Sequence, residues 1–164
     1  MTAAVLTTAL VLFIPQAPAS QPKTQDCPMH DANSEMNKRG EQAMGFSQTA
    51  TTHHFFLKPD GGVIQVEVKG AKDTHDRDNI RMHLRHIATM FADGNFNIPT
   101  FVHNAIPPGV LEMKHLGNRI QYAFEETPNG GRVVIATTDK TAIGAVHRFL
   151  RFQIQEHETG DPQQ

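Results

Sequence analysis

Alternation of apolar and polar residues predicts a β-hairpin in the first half of the chain. Residues 51–58, TTHHFFLK, and residues 63–69, VIQVEVK, flank the tetrapeptide PDGG, which is typical of a hairpin connection. In the second run Ile64, Val66 and Val68 share one face, and the alternation predicts that this face is buried.

The adjacent histidines of the first strand must point to opposite faces of the sheet, because successive side chains of a strand alternate. If Phe55 and Leu57 are buried with the apolar face of the partner strand, His53 points inward and His54 points outward with Phe56. A register shift of one residue would reverse this assignment.

Helical periodicity follows the hairpin. The spacing predicts a helix over residues 76–92, ended by Gly94, because its apolar residues form one stripe: Ile80, Leu84, Ile87 and Phe91. Residues 97–109 contain three prolines and are predicted to be an irregular connection. VLEMKHL, residues 110–116, favours a short helical turn.

The same order of elements then recurs. RIQYAFEET and RVVIATT flank PNGG, and a long helix is predicted from Asp139 to about His157. The unit of strand, glycine-pair turn, strand and helix thus occurs twice. This repetition predicts an α+β domain of ββαββα order, with an antiparallel sheet and both long helices on one face. Each half alone would expose an apolar helix stripe, so neither half should fold by itself.

The chain divides into three segments. Residues 1–19 are uncharged and run from an apolar stretch into an A-x-A-like site, which is typical of a signal peptide cleaved after Ala19. Residues 20–47 show no apolar period and are predicted to be a flexible lead-in, and residues 48–161 to be the single folded domain. We therefore expect a periplasmic or secreted protein. The alternative, a cytosolic protein with an apolar N-terminal helix, is disfavoured by two prolines in that stretch.

Composition narrows the class of partner. The 164-residue chain has a net charge of −2 and scattered positive residues, so we expect no nucleic-acid partner. The apolar leader is shorter than the roughly 20 residues that a spanning helix needs, so we expect no membrane span after cleavage. With one cysteine, Cys27, an exported domain must be held by its core or by a bound metal rather than by an internal disulfide.

Histidines carry the candidate chemistry, since the chain has ten of them. The predicted faces direct His53, His83 and His147 toward a common interior, and His103 lies in the proline-rich connection, which could cross an end of the sheet. Further candidates are His54, His86 and Met90, and His157 falls inside the apolar stripe of the second helix. Imidazole suits copper and zinc. We therefore expect a transition-metal site, with copper before zinc.

Each candidate also has a structural interpretation. A histidine on an apolar helix face is commonly a hydrogen-bonded core residue, and Met82 and Met90 have the placement of residues that fill gaps in a core. The chain has no H-x-H or H-E-x-x-H spacing that would specify a metal site.

A second group of soft ligands lies in CPMHDANSEM, namely Cys27, Met29 and His30. CPMH resembles the opening of the heavy-metal-binding segments of copper-transport proteins, although Asp31 stands where those segments usually carry proline. The resemblance implies an auxiliary or delivery site for the metal. The alternative is a disordered leader that contains these residues by chance.

Catalytic patterns are sparse. The three serines precede or border the folded domain, which argues against a Ser-His-Asp site. Glu112 and His115 show a Glu-x-x-His spacing only once. The glycine pairs lie between strands rather than between a strand and a helix, so no nucleotide cofactor is expected.

From about Met44 onward, the pattern TTHHF, DGG, HLRHIA and HRFLRFQI resembles a group of small exported histidine-rich bacterial proteins with no settled activity. The resemblance implies export and the domain limits, and it transfers no site residue. Three functions follow from the sequence. The first is binding of a transition metal, and the second is a metal- or histidine-dependent enzyme acting on an exported small molecule. The third is a non-catalytic interaction domain, which would form a homodimer through exposed sheet edges.

Overall fold

A computed structural model describes the backbone of residues 28–164 and the side chains from Ser34 onward. The predicted signal peptide, Cys27, and the side chains of Met29 and His30 lie outside the described part. The helices are α1 (Pro28–Met44), α2 (Thr74–Ala92), α3 (Asn97–His103), α4 (Val110–Leu116) and α5 (Lys140–Glu156), with a 3-10 turn at Gly117–Arg119. The strands are β1 (Thr51–Lys58), β2 (Gly61–Val68), β3 (Gln121–Thr127) and β4 (Gly130–Ala136).

Both predicted hairpins form, but their glycines belong to the strands rather than to the turns. Lys58 pairs with Gly61, so only the two residues between them form the first turn, and the second hairpin repeats this register. Gly61 has φ 141°, and a Cβ there would collide with the carbonyl oxygen of Ile135 on β4. The glycine therefore permits the close approach of β2 and β4.

The α+β architecture of ββαββα order is confirmed. The four strands lie in the order β1-β2-β4-β3, and every neighbouring pair is antiparallel. α2, which follows the first hairpin, packs mainly on β3 and β4 of the second, whereas α5 packs on β1 and β2 of the first. Each helix thus covers the hairpin of the other half, and the two halves form one core.

The predicted facing of β1 is also confirmed. His53 pairs with Val66 and Phe55 pairs with Ile64, so these four side chains share the inner face. Phe55, Ile64 and Val66 belong to the buried core together with residues of α2 and α5. His54 therefore lies on the outer face.

Two aspartates set the starts of the long helices. The Asp73 carboxylate accepts a hydrogen bond from the Asp76 amide at 3.1 Å, and Asp139 accepts from the amides of Thr141 and Ala142 at 2.8 and 3.2 Å. These side chains satisfy amides that have no partner inside the helix.

The prediction of a flexible lead-in over residues 20–47 is wrong where the structure describes it, because Pro28–Met44 forms α1. α1 packs against α3, with Met36 buried and the Arg39 Nε donating to the Val102 carbonyl oxygen at 2.8 Å. Apolar residues are sparse in this helix, so the sequence shows no broad apolar stripe. Tertiary contacts, rather than amphipathic periodicity, hold α1 in place.

The connection after α2 is more regular than predicted. Residues 97–103 form α3, with Pro99 in its first turn, where the missing N–H leaves no bond unmade. α4 confirms the helical turn predicted for residues 110–116. Within the described range, 28–164, no helix is both long enough and apolar enough to cross a membrane.

If α1 is docked on the domain, removing its buried side chain should lower the free energy of unfolding. Met36→Ala should lower the free energy of unfolding by about 2 kcal/mol or more, because it removes a buried side chain. Gln42→Ala, at an exposed position on the same helix, should have little effect. Urea denaturation of both variants tests this, and equal stabilities would show that α1 is not docked.

Candidate functional site

A small cavity of about 70 Å³ lies between the inner face of the sheet and the helices. Most of its lining is apolar, and four histidines from four different elements reach it: His53 from β1, His83 from α2, His103 from α3 and His157 from the end of α5. Met44, the last residue of α1, contributes a thioether side chain to the wall.

Three of the rings are in direct mutual contact. His157 stacks on His53, with ring centroids 5.5 Å apart and planes inclined by 8°, and it meets His103 edge-on at 5.2 Å. Phe46 joins the fourth ring to this group, since its centroid lies 6.1 Å from that of His53 and 5.7 Å from that of His83. The imidazoles therefore form one aromatic cluster.

Several polar atoms of the cavity wall are sealed from solvent without a hydrogen-bond partner in the described part of the chain: His53 Nε2, His103 Nδ1 and Gln153 Nε2. The His103 Nε2–H donates to Gln153 Oε1 at 3.0 Å, and the Glu156 carboxylate lies 3.8 Å from His103 Nδ1. Buried polar groups are normally satisfied, so unpartnered atoms in a cavity indicate a place where a ligand can bind.

The cavity histidines are held in the neutral form. Burial lowers the pKa of His53 to about 4, and proximity to His83 and His54 acts in the same direction. Burial likewise lowers the pKa of His83 to about 4 and that of His157 to about 3, and neighbouring histidines add to both effects. The pKa of His103 is also lowered by burial, against the opposing effects of Gln153 and Glu156. Near neutral pH each ring therefore offers a free lone pair.

Three of the four predicted interior histidines, His53, His83 and His103, do meet in one cavity. The placement of His147 there is wrong. Its Nε2–H is shared between the carbonyl oxygens of Lys58 and Gly61, at 2.9 and 3.0 Å, so the ring braces the first hairpin turn. A helix residue at the edge of the apolar stripe reaches the nearest unpaired carbonyls, and periodicity alone does not reveal which those are.

The predicted flanking ligands lie elsewhere. His86 is exposed on α2 and lines a surface depression with Met82 and Arg85. Met90 is half-buried and packs against the core without lining the cavity. His54 lies on the outer sheet face, where its Nδ1–H donates to Asp161 Oδ1 at 2.9 Å.

The histidine–carboxylate pair of His54 and Asp161 resembles the base and its orienting group in hydrolases. Its ring borders a polar groove of about 330 Å³, yet among the described residues no serine or cysteine lines that groove. The Thr159 hydroxyl donates to Asp161 rather than to His54, so it is not activated by the ring. Within the described residues the pair joins the C-terminal segment to β1.

The candidate metal ligands described in the cavity do not surround a common position for an ion. Within the described residues, no three His, Cys, Asp or Glu side chains are placed to hold a metal ion. Met29 lies 15 residues before Met44 on the same helix, which separates the two by about 22 Å at 1.5 Å per residue. The backbone of Met29 is therefore remote from the cavity wall at Met44.

Three cavity residues were not among the predicted site residues: His157, Met44 and Gln153. His157 had a usable signal, because it falls inside the apolar stripe of α5. Met44 belonged to a segment without apolar period, and Gln153 is a buried polar residue whose role depends on its contact with His103.

Comparison with known proteins assigns neither a family nor a function to the chain. No protein-family model matches the chain, and no curated protein or solved structure is significantly similar to it.

The lowered histidine pKa values predict an acid-sensitive fold. Between pH 7 and pH 5 the unfolded chain takes up protons at histidines whose pKa is about 6.5, and the folded cavity does not, so stability falls as the pH falls. A buried histidine such as His53 contributes roughly 1–2 kcal/mol to that fall. His53→Gln should therefore lose less stability than the wild type over this range in urea denaturation.

His115→Gln, at an exposed position away from the cavity, is the matched control and should keep the wild-type pH dependence. If His53→Gln and the wild type lose the same stability, the cavity ring is not held neutral.

Proposed function

We propose that the protein binds copper(I) in the histidine cavity, as an exported copper-binding protein. The single observation that carries this proposal is the solvent-sealed, unpartnered Nε2 of His53 in a wall that also holds three further neutral imidazoles and the Met44 side chain. Imidazole nitrogen and thioether sulfur are ligands that copper favours.

Cavity size supports an ion over an organic ligand. Its volume of about 70 Å³ is well below the roughly 150 Å³ of a protein cavity that admits benzene. It is also far below the roughly 300–1,000 Å³ of typical small-molecule pockets. The second interpretation from the sequence, an enzyme for an exported small molecule, would have to use the adjoining polar groove of about 330 Å³, which His53 and His157 also line, because the cavity itself is too small.

Charge supports copper(I) over zinc(II). The lining contains no Asp, Glu, Lys or Arg among the described residues, so its own donors are neutral. The Glu156 carboxylate, 3.8 Å from His103 Nδ1, stands outside this lining and is 44% exposed. The Born cost of burying an ion rises with the square of its charge, so a divalent ion without a carboxylate costs about four times as much as a monovalent one. A neutral, mostly apolar site therefore favours a soft monovalent cation.

Gln153 acts as the outer support of this site. By accepting the Nε2–H of His103, its side-chain oxygen fixes the tautomer in which His103 Nδ1 carries the lone pair. Copper(I) accepts two or three ligands, so a donor set of one or two imidazoles and a thioether is sufficient.

The N-terminal residues fit an auxiliary role. Cys27, Met29 and His30 offer soft ligands in the sequence, and the backbone of Met29 lies about 22 Å from that of Met44 along α1. We therefore assign this group to capture or delivery of the metal rather than to the cavity.

Copper(I) titration tests the cavity site. In a full chain carrying Cys27→Ser, Met29→Leu and His30→Asn, we expect one copper(I) per chain in competition with a chromophoric chelator. His53→Ala should weaken binding by about 100-fold or more, since loss of an outer-shell partner alone typically costs about 10–100-fold. Gln153→Leu should fall within that smaller range.

His86→Ala is the matched control, because this exposed histidine lies outside the cavity, and it should bind as the parent does. Equal affinities for the His53 and His86 variants would overturn the cavity site. Zinc(II), added under the same conditions, should bind more weakly than copper(I).

The pH dependence of binding gives an independent prediction. Because the pKa values of His53 and His157 are about 4 and 3, protons compete little with the metal above pH 5. Copper(I) affinity should change by less than about threefold between pH 7.5 and pH 5.5. Imidazoles with an ordinary pKa near 6.5 would lose about tenfold per ligand over this range, which is the contrary outcome.

A further inference from the structure

A polar groove adjoins the cavity and shares part of its wall. The groove has a volume of about 330 Å³, and His53 and His157 line both spaces. These two rings are the stacked pair, so a single layer of imidazole separates the cavity from the groove. Among the described residues, the other histidines of the cavity do not line the groove.

The C-terminal segment Glu158–Asp161, here called the strap, forms one side of this groove. Glu158 and Thr159 line it directly, and Asp161 anchors the segment to the edge strand β1. The Asp161 carboxylate accepts hydrogen bonds from the Phe55 amide at 2.8 Å, the His54 Nδ1–H at 2.9 Å and the Thr159 hydroxyl at 2.7 Å. The Asp161 side chain is only 7% exposed.

The strap is held by polar contacts rather than by burial. None of its four residues belongs to the buried core, and its backbone turns at two left-handed residues, Glu158 with φ 49° and Gly160 with φ 74°. A left-handed conformation is unfavourable for a residue with a side chain, so the turn at Glu158 depends on contacts around it. The Asp161 contacts to β1 are the ones that tie the far end of the strap.

We propose that the strap is the gate of the histidine cavity, and that release of Asp161 from β1 opens the groove-side layer formed by His53 and His157. The strap follows His157 directly in the chain, and the amides of Glu158 and Thr159 donate to the carbonyl oxygens of Gln155 and Ile154 at 3.3 and 3.2 Å. Opening therefore requires that these bonds also break, and the movement then displaces one ring of the stacked pair. Passage of copper(I) through this gate rests on the proposed function, whereas access of solvent and reagents to the two rings does not.

The first test measures access without metal. Diethyl pyrocarbonate modifies accessible neutral imidazoles, and fragment mass spectra resolve His53 from His54. In Asp161→Ala, modification of His53 and His157 should be at least about tenfold faster than in the wild type, as expected for loss of a contact worth 1.4 kcal/mol or more. Exposed His115 serves as the internal reference and should react at the same rate in both proteins.

Arg151→Gln is the matched control. Arg151 Nε donates to the Gln163 carbonyl oxygen at 2.9 Å, so this variant loosens the chain end beyond the strap and leaves the Asp161 contacts intact. It should show wild-type modification rates. If Arg151→Gln and Asp161→Ala accelerate modification equally, or if neither does, the strap is not the gate.

If Asp161→Ala fails to fold, two milder variants test the gate. Asp161→Asn keeps an oxygen to accept the Phe55 amide, and His54→Ala removes one contact and leaves the carboxylate in place. Both should retain the fold by circular dichroism and give intermediate modification rates. Wild-type rates in both folded variants would overturn the proposal.

The second test follows copper(I) transfer to a chelator. Asp161→Ala should speed uptake and release by similar factors, so that the equilibrium affinity changes by less than about threefold while both rates rise at least about tenfold. Wild-type protein that fails to bind copper(I), with faster imidazole modification in Asp161→Ala, would contradict the proposed function and keep the gate. Tight copper(I) binding with unchanged rates in Asp161→Ala would contradict the gate and keep the proposed function.

Discussion

The antiparallel pairing of β2 with β4 is the interaction on which the rest of the structure depends. It joins two hairpins into one sheet and so allows each long helix to pack on the hairpin of the other half. Neither α2 nor α5 can bury its apolar stripe on its own hairpin alone. At two positions of this pairing the backbones approach too closely for a side chain. Gly61 and Gly130 occupy them, and a Cβ at either would collide with a carbonyl oxygen of the opposite strand.

The cavity is a consequence of this exchange. β1 and α2 come from the first half and α5 from the second, and their packing on one face of the sheet brings His53, His83 and His157 to a common space. Burial in an apolar wall removes water from these rings, and it therefore favours the neutral imidazole over the charged form. The same desolvation that makes the rings poor bases makes them available as metal ligands at mildly acidic pH. Structural stability and ligand chemistry are thus linked through one set of side chains.

Segments outside the repeated ββα unit complete the site. α1 supplies Met44, α3 supplies His103, and the C-terminal strap lies against the stacked pair from the groove side. The repeated unit provides a rigid frame, and the unrepeated segments provide the remaining walls. This division explains why the two halves, although similar in element order, do not carry two equivalent sites. It also places α1 and the strap at the boundary of the cavity rather than in the core.

The sequence by itself determined the α+β architecture, the order of strands and helices, the apolar stripes of α2 and α5 and the inward direction of His53. These features follow from periods of two and of about 3.6 residues, which local geometry imposes wherever one face is buried. Periodicity also directs His53 and His83 inward, whereas the prediction for His103 depends on its place in the proline-rich connection. Periodicity did not reveal that α1 and α3 are helices, because their contacts with the domain are few and depend on partners distant in the chain. Only the tertiary structure decided that His147 braces a turn while His157 reaches the cavity, since that choice depends on which carbonyls and rings the fold brings within hydrogen-bonding or stacking distance. The position of a residue on a helix specifies the face to which its side chain points. How far that side chain reaches, and which other side chains it meets, depends on how the two halves pack.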